Sequence, residues 1–438
     1  MSNTNIGSIN QGGFNPTIKG KSKGNNSSLM NITDSFKASG KVGDSSPGLD
    51  AKKVAKMMSK NRRVWDLEKL WSTPTEGRIF TKPNIGPDGS IAVGTNTGKL
   101  FVVDGKTGKK KWNFEMKGDI RWSVFGKDGT VYTGGSMSEI HALDGKTGEE
   151  KWSHNLDQHY CLEPVIGPAG NMYIGDSDNL YSIDTKTGQR KWKQDFSLYQ
   201  MSYSPVIADS DTIIMSGGDI TFTVDANTGK QKDDYGYADY HHNPALKDGV
   251  MFVAKGRREK SMLAIDQKTK ETKWQTDIDG WLATPPVIGK NGVMYAAVTS
   301  NDKIIALDEK TGKKKWEFKT RIKNDAFVVL NEKTGTVMSV NKDNNEIIGI
   351  DADNGKLKWR LSHSNRMLNA PMVGNDGTIY VGDGDGNVHA FREKEWKEDL
   401  QQEYSEIKDD DGESLKIEKG DGFVVIGGVR LPAGKEKG

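Results

Sequence analysis

The chain is almost without cysteine: Cys161 is the single one among 438 residues. A lone thiol excludes an intramolecular disulfide and any metal site built on cysteines, and it suits a reducing compartment. Long apolar runs are missing as well. None approaches the roughly 20 residues that span a bilayer, and the longest C-terminal candidate, Phe423 to Val429, is far too short. The beginning of the chain lacks the apolar stretch of roughly 7–15 residues that marks a secretory signal. The expected location is the cytoplasm, or outside the cell by a route needing no cleavable signal. Excess charge of one sign is also absent. Lys plus Arg number 62 and Asp plus Glu 60, a net +2, so no global basic field argues for nucleic acid.

Acidic residues are absent locally too, with none before Asp34. Through Arg63, nine lysines and two arginines face Asp34, Asp44 and Asp50, which leaves +8. This stretch is rich in Gly, Ser and Asn and poor in large apolar groups. It cannot bury enough surface to offset ordering entropy, so residues 1–62 read as a disordered basic leader. A short helix is expected from about Asp50 through Val54, Met57 and Met58.

What is present is a repeat. A Trp recurs about every forty residues, closing the same phrase each time: Asp104 to Trp112, Asp144 to Trp152, Asp184 to Trp192, Asp266 to Trp274, Asp308 to Trp316 and Asp351 to Trp359. With Trp71, Asp233 standing in the Trp slot, and Trp396, the spacings are 41, 40, 40, 41, 41, 42, 43 and 37. A period of that size marks stacked repeats. Each unit holds an apolar segment, a Gly-rich turn such as Gly126-Lys127-Asp128-Gly129, two short β-type runs, the Asp-x-x-Thr-Gly turn and the Trp strand. Four short strands per unit predict an all-β, eight-bladed propeller over residues 63–396. Asp bonds the turn N–H groups and Gly takes the left-handed position. Trp112, Trp152, Trp192, Trp274, Trp316 and Trp359 are structural, each expected to lie between neighbouring blades. Arg63 to Trp71 reads as an outer strand that completes the last blade and removes an exposed edge.

From Arg392 the character changes to nine basic and thirteen acidic residues, a net −4. Glu393 to Ile407 reads as a helix with Trp396, Leu400, Tyr404 and Ile407 on one face, and Leu415 to Leu431 as a hairpin. Residues 397–438 are thus a small appendage of helix plus hairpin. Within it Phe423 and Ile426 are spaced like a tail motif that adds as a strand to a partner's sheet, the alternative being an intramolecular hairpin.

The phrase Ala/Val-x-Asp-x-x-Thr-Gly-x-x-x-Trp resembles the tryptophan-docking repeat of the pyrroloquinoline quinone (PQQ) propeller family. That family includes quinoprotein alcohol dehydrogenases, the propeller lipoprotein of the outer-membrane assembly machine, and propellers without known catalysis. The resemblance implies the fold and leaves function open. The dehydrogenases it resembles use an adjacent Cys pair beside the quinone and carry long insertions. Neither occurs here, so no catalytic residue and no cofactor is assigned.

Binding residues are expected where connections ring the channel mouth: Arg78, Arg121, Trp122, His159, Tyr160, Tyr199, Tyr240, His241, Trp281, Arg321 and Arg366. Arg and aromatics at a rim are what binding hot spots use. The alternative is that the aromatics plug the channel. His241 and His242 are adjacent and point apart along a strand, so no metal site is assigned there. Asp383-Gly384-Asp385-Gly386-Asn387 imitates the start of a calcium loop but lacks its closing Glu. Asp233 in the Trp slot and Lys270 in the turn-Gly slot set the fourth and fifth units apart. The functional expectation is a non-enzymatic scaffold, a monomeric ring that binds protein partners. A bacterial effector exported by a type III-like route, or a phage structural component, fits the same leader. A PQQ-dependent dehydrogenase is the third reading.

Overall fold

The four short runs of each repeat become the four strands of one antiparallel sheet. The computed structural model describes residues 65–157, 161–176, 178–197, 203–217, 220–237, 243–255, 259–282, 284–321, 327–341, 346–362 and 369–395, and three strands between 417 and 432. The leader lies outside the described residues, as do Trp396 and the rest of the expected C-terminal helix.

Among the described residues, eight four-stranded sheets form the blades of a propeller. Blade 1 comprises Asn84–Ile85, Ser90–Gly94, Lys99–Asp104 and Lys110–Glu115, and blade 2 Ile120–Phe125, Val131–Gly135, Glu139–Leu143 and Glu150–Asn155. Blades 3 to 7 occupy 165–195, 206–237, 245–277, 287–319 and 328–362. The middle strands are buried on both faces because each blade is sandwiched between two others. The outer strands alternate between exposed and half-buried residues, with Trp112, Trp152 and Trp192 among the half-buried ones. The apolar core therefore lies in the seams. Tyr132, Ile140 and Ala142 of blade 2, for example, pack with Met172, Ile174, Tyr181 and Ile183 of blade 3.

Blade 8 is shared between the two ends of the propeller. Met372–Val373, Ile379–Gly382 and Asn387–Glu395 are joined by Trp65–Pro74 as the outermost strand, with Trp71 opposite Ala390. The ring closes as its sequence suggests. One expectation changes here: Glu393, Lys394 and Glu395 do not start a helix. They extend a nine-residue strand opposite Leu67, Asp66 and Trp65, because the closing strand offers backbone partners that far.

One face, the upper, carries the turns between second and third strands and the connections between blades. Met116 N–H bonds the Gly98 carbonyl at 2.9 Å and Ser136 N–H the Asp119 carbonyl at 3.1 Å, so the connection from blade 1 to blade 2 passes from one such turn to the next. The lower face carries the other turns.

The C-terminal strands form a separate sheet in the order Ile417–Gly420, Phe423–Ile426, Val429–Pro432. The expected hairpin gains a third strand. Phe423 and Ile426 begin and end the middle strand, which is paired on both edges. That strand is therefore not free to add to a partner's sheet.

Candidate functional site

The joint between blades is built from the repeated phrase. Asp104 Oδ1 accepts the N–H groups of Lys106 and Thr107 at 3.2 and 2.8 Å and the Thr107 hydroxyl at 2.8 Å. The hydroxyl bond foremost, then the backbone bond from Thr107, holds the Asp104 carboxyl below its usual range. The turn this fixes presents the carbonyl of the next residue, Gly105, to the previous blade. Trp71 Nε1–H donates to it at 3.0 Å. Trp112, Trp152, Trp192, Trp274 and Trp316 donate in the same way to Gly145, Thr185, Ala226, Glu309 and Ala352 at 2.9–3.1 Å. Gly108 lies at φ 71°, and a Cβ there would stand 2.6 Å from the Trp71 ring. Left-handed backbone and ring contact both demand glycine.

One recurrent residue escaped the sequence reading although its signal was plain: the Lys preceding the Trp. Lys111, Lys151, Lys191, Lys232 and Lys358 cross the blade to Ser90, Thr130, Asn171, Thr212 and Thr336 at 2.6–3.2 Å. Each ties the outer strand to the start of the second strand.

Two seams depart from the rule. Between blades 4 and 5, Asp233 occupies the Trp register opposite Thr223 and Lys270 occupies the glycine position at φ 63°. The two side chains meet: Lys270 Nζ lies 2.9 Å from Asp233 Oδ1. The two anomalies are one joint, an ion pair in place of indole on glycine. Between blades 7 and 8 no Asp-x-x-Thr-Gly turn exists, because the last two strands belong to opposite ends of the chain. Trp359 is buried with its Nε1–H unpaired. Beside it Glu393 accepts from Thr334 and Thr336 hydroxyls at 2.8 and 2.7 Å and from Asn331 Nδ2 at 3.2 Å, with Lys358 Nζ at 3.6 Å. A buried polar cluster replaces the missing turn.

The upper face carries several expected contact residues. Arg78 is exposed, its backbone exchanging bonds with Asn96 at 2.8 and 3.0 Å. Arg121 is exposed, paired with Asp119 at 2.7 Å and over the Phe80 ring. Trp281 is 43% exposed, and Arg321 is exposed on the connection leaving blade 6. Trp122 is a correction. It is 3% exposed and packs in the core between blades 2 and 3, in space left by Gly134. Residues 120–125 form a strand rather than a polar connection, and alternation turns Arg121 out and Trp122 in. His159, Tyr160, Tyr199, Tyr240, His241 and Arg366 lie outside the described residues. The sequence reading missed Met137, 46% exposed at the second turn of blade 2. Cross-links tie the connections: Lys82 to Glu163 at 2.8 Å, Asn243 Nδ2 to the Ser204 carbonyl at 2.8 Å, and Asn369 Nδ2 to the Thr81 carbonyl at 3.2 Å.

The cysteine and the calcium-like loop hold no reactive group ready for chemistry. Burial pushes the Cys161 thiol up to about 12, which keeps it protonated at neutral pH. The Asp383 carboxylate of the calcium-like loop accepts the N–H groups of Asp385 and Asn387 and faces His389 Nε2 at 2.9 Å. Among the described residues no cluster of His, Cys, Asp or Glu is arranged to hold a metal, and no helix is long and apolar enough to cross a membrane.

The sequence matches the family model described as outer membrane protein assembly factor BamB over residues 59–232, 238–334 and 328–425. Among solved structures the chain is similar to BamB from Moraxella catarrhalis, with 16% identity, a TM-score of 0.62, and 75% of this chain and 100% of that one covered. It is similar to the computationally designed Ika8 protein at 15% identity and TM-score 0.61, covering 74% and 99%. Saccharomyces cerevisiae Sqt1 matches at 12% identity and TM-score 0.62, covering 74% and 98%. No curated protein matches the chain. The structural likenesses are likenesses of fold. Indole-on-glycine joints repeated around a closed eight-bladed ring, with the family match spanning that ring, show that the chain belongs to the BamB family of PQQ-like repeat β-propellers.

Proposed function

We propose that the protein is a non-enzymatic scaffold whose upper face binds a protein partner. One observation carries this reading. The two exposed large hydrophobic side chains among the described residues, Met137 and Trp281, stand on that same face, on blade 2 and on the connection into blade 6. Arg78, Arg121 and Arg321 stand on it with them. Exposed apolar groups beside arginine on a rigid support are what partner surfaces use. The docked blades hold them in place before binding, so little ordering is demanded when a partner arrives.

The test is capture of partners from the source cells by immobilised protein. Wild type is compared with Trp281→Ser/Met137→Ser and with Arg121→Glu. The reading requires that a partner be lost from both variants while the melting temperature is unchanged. Retention of every captured protein by both variants refutes it.

A further inference from the structure

Two residues past the Trp register, an outer strand can place a side chain on the joint of the next blade. Thr73 and Thr276 donate their hydroxyls there, to the carbonyls of Gly108 and Gly312 at 2.5 and 2.8 Å. Blade 2 carries His154 at that place. His154 lies opposite Ile140, which clusters with Ile174 and Tyr181 of blade 3, so the imidazole faces the seam between blades 2 and 3. Its Nε2 is buried without a hydrogen-bond partner. Leu156 is buried in the same seam, and Asp157 follows it at the start of the connection into blade 3.

The charges around this ring oppose a further cation. Arg190, on the outer strand of blade 3, is the cation that acts on His154, and Asp157 is the carboxylate. Asp157 Oδ2 already lies 3.3 Å from Arg190 Nη1 and 2.7 Å from Lys193 Nζ, so one carboxylate serves two cations. Lys191 of the same strand is held by Asp184 at 3.2 Å. Glu139 and Glu150 stand on the other face of the blade 2 sheet, beside His141 at 3.6 and 2.7 Å and toward Phe114 of blade 1. Burial first and the Arg190 guanidinium second hold the His154 imidazole below its ordinary range, against the opposing pull of Asp157. His141 and His389 differ: each lies within 2.7–2.9 Å of a carboxylate that favours its proton. Among the described histidines, His154 alone faces an arginine.

We propose that His154 makes the seam between blades 2 and 3 an acid-sensitive joint. At neutral pH the seam closes on an uncharged ring. A proton on that ring sets it against Arg190, giving three cations around the single carboxylate of Asp157. Asp157 is drawn from Arg190 and Lys193, and the strand Glu150–Asn155 and the start of the connection loosen their hold on blade 3. The sign follows from the lowered proton affinity. An unfolded imidazole titrates near about 6.5, so the joint keeps its full strength above that pH and loses it as pH falls below. This device is independent of the scaffold reading.

The test compares the full chain with His154→Gln, which installs the residue that blade 3 carries at the matching place, Gln194. Urea unfolding and hydrogen exchange, corrected for intrinsic rates, are followed at pH about 7.5 and about 5. On acidification the unfolding constant of the wild type is expected to rise about fivefold more than that of the variant. Exchange over residues 150–157 should quicken about fivefold in the wild type and stay unchanged in the variant, while the matching strand of blade 1, residues 110–115, stays protected in both. If His154→Gln misfolds, Arg190→Gln, an exposed change, should remove at least half of the acid response. Parallel acid responses in the wild type and His154→Gln, or in the wild type and Arg190→Gln where that variant is used, overturn the inference. So does a loss of protection spread evenly around the ring.

Discussion

Replacing Asp233 by Trp and Lys270 by Gly together should rebuild at blades 4 and 5 the joint used at six other seams. An indole buries about 150–250 Å². At about 25 cal/mol/Å² this is an upper bound of about 4–6 kcal/mol. Several outer-strand indoles, such as Trp112 and Trp152, are only half-buried, so about 2–3 kcal/mol is the working figure. The ion pair given up has side chains 59% and 42% exposed and is worth about 0–1 kcal/mol. The double variant should gain about 1–3 kcal/mol. Asp233→Trp alone should gain nothing. A Cβ in the glycine position stands under 3.0 Å from the ring at the regular joints, and forcing a ring against it costs about 1–3 kcal/mol. The two changes should therefore be non-additive by about 2 kcal/mol. Urea denaturation of wild type, both single variants and the double variant measures this. Additivity within about 0.5 kcal/mol, or full stabilisation by Asp233→Trp alone, refutes the paired-joint account.

Other joints give further expectations. Gly148→Ala, at φ 79° with a Cβ 2.7 Å from Trp112, should cost about 2 kcal/mol in urea unfolding, whereas Gly129→Ala, also at positive φ but with no neighbour within 4 Å, should cost about 1 kcal/mol. Glu393→Ala removes the carboxylate beside the Lys358 ammonium, 4% exposed, and should cost about 3–5 kcal/mol; Glu393→Leu with Lys358→Met should recover most of that loss. Hydrogen bonds from His389 and the Asn387 N–H outweigh burial and hold the Asp383 carboxyl to about 2, below its unfolded value of about 3.9. Its contribution, about 2 kcal/mol, is present above pH about 4 and fades as pH falls toward about 2. Asp383→Asn should flatten that part of an acid titration followed by tryptophan fluorescence.

The ring was legible in the Trp period because each joint spends the same few residues on the same task. Asp fixes a turn, Gly clears space and Trp spans the gap, so the phrase could not drift without loss. Asp233 and Lys270 looked like separate lapses because they lie 37 residues apart in sequence and meet only when adjacent blades stack. Trp122 was misplaced because one residue of offset in a strand exchanges inside for outside, and the start of the strand carries no marker. Glu393 read as helical by composition. Its strand conformation is imposed by Leu67, which comes from the far end of the ring. Local pattern specified the repeats, and what it could not specify was pairing across long separations. Met137 escaped for a related reason: nothing in the local sequence tells whether a turn residue is covered by a neighbouring blade.

The closing blade sets a timetable for synthesis. The strand ending at Pro74 is made well before its partner, which does not begin until Asn387. At about 5–20 residues per second the ribosome needs roughly 15–60 s to cover the interval. Throughout that time the young strand lacks the backbone partners that it has in the closed ring. The circle cannot shut before the last blade is made.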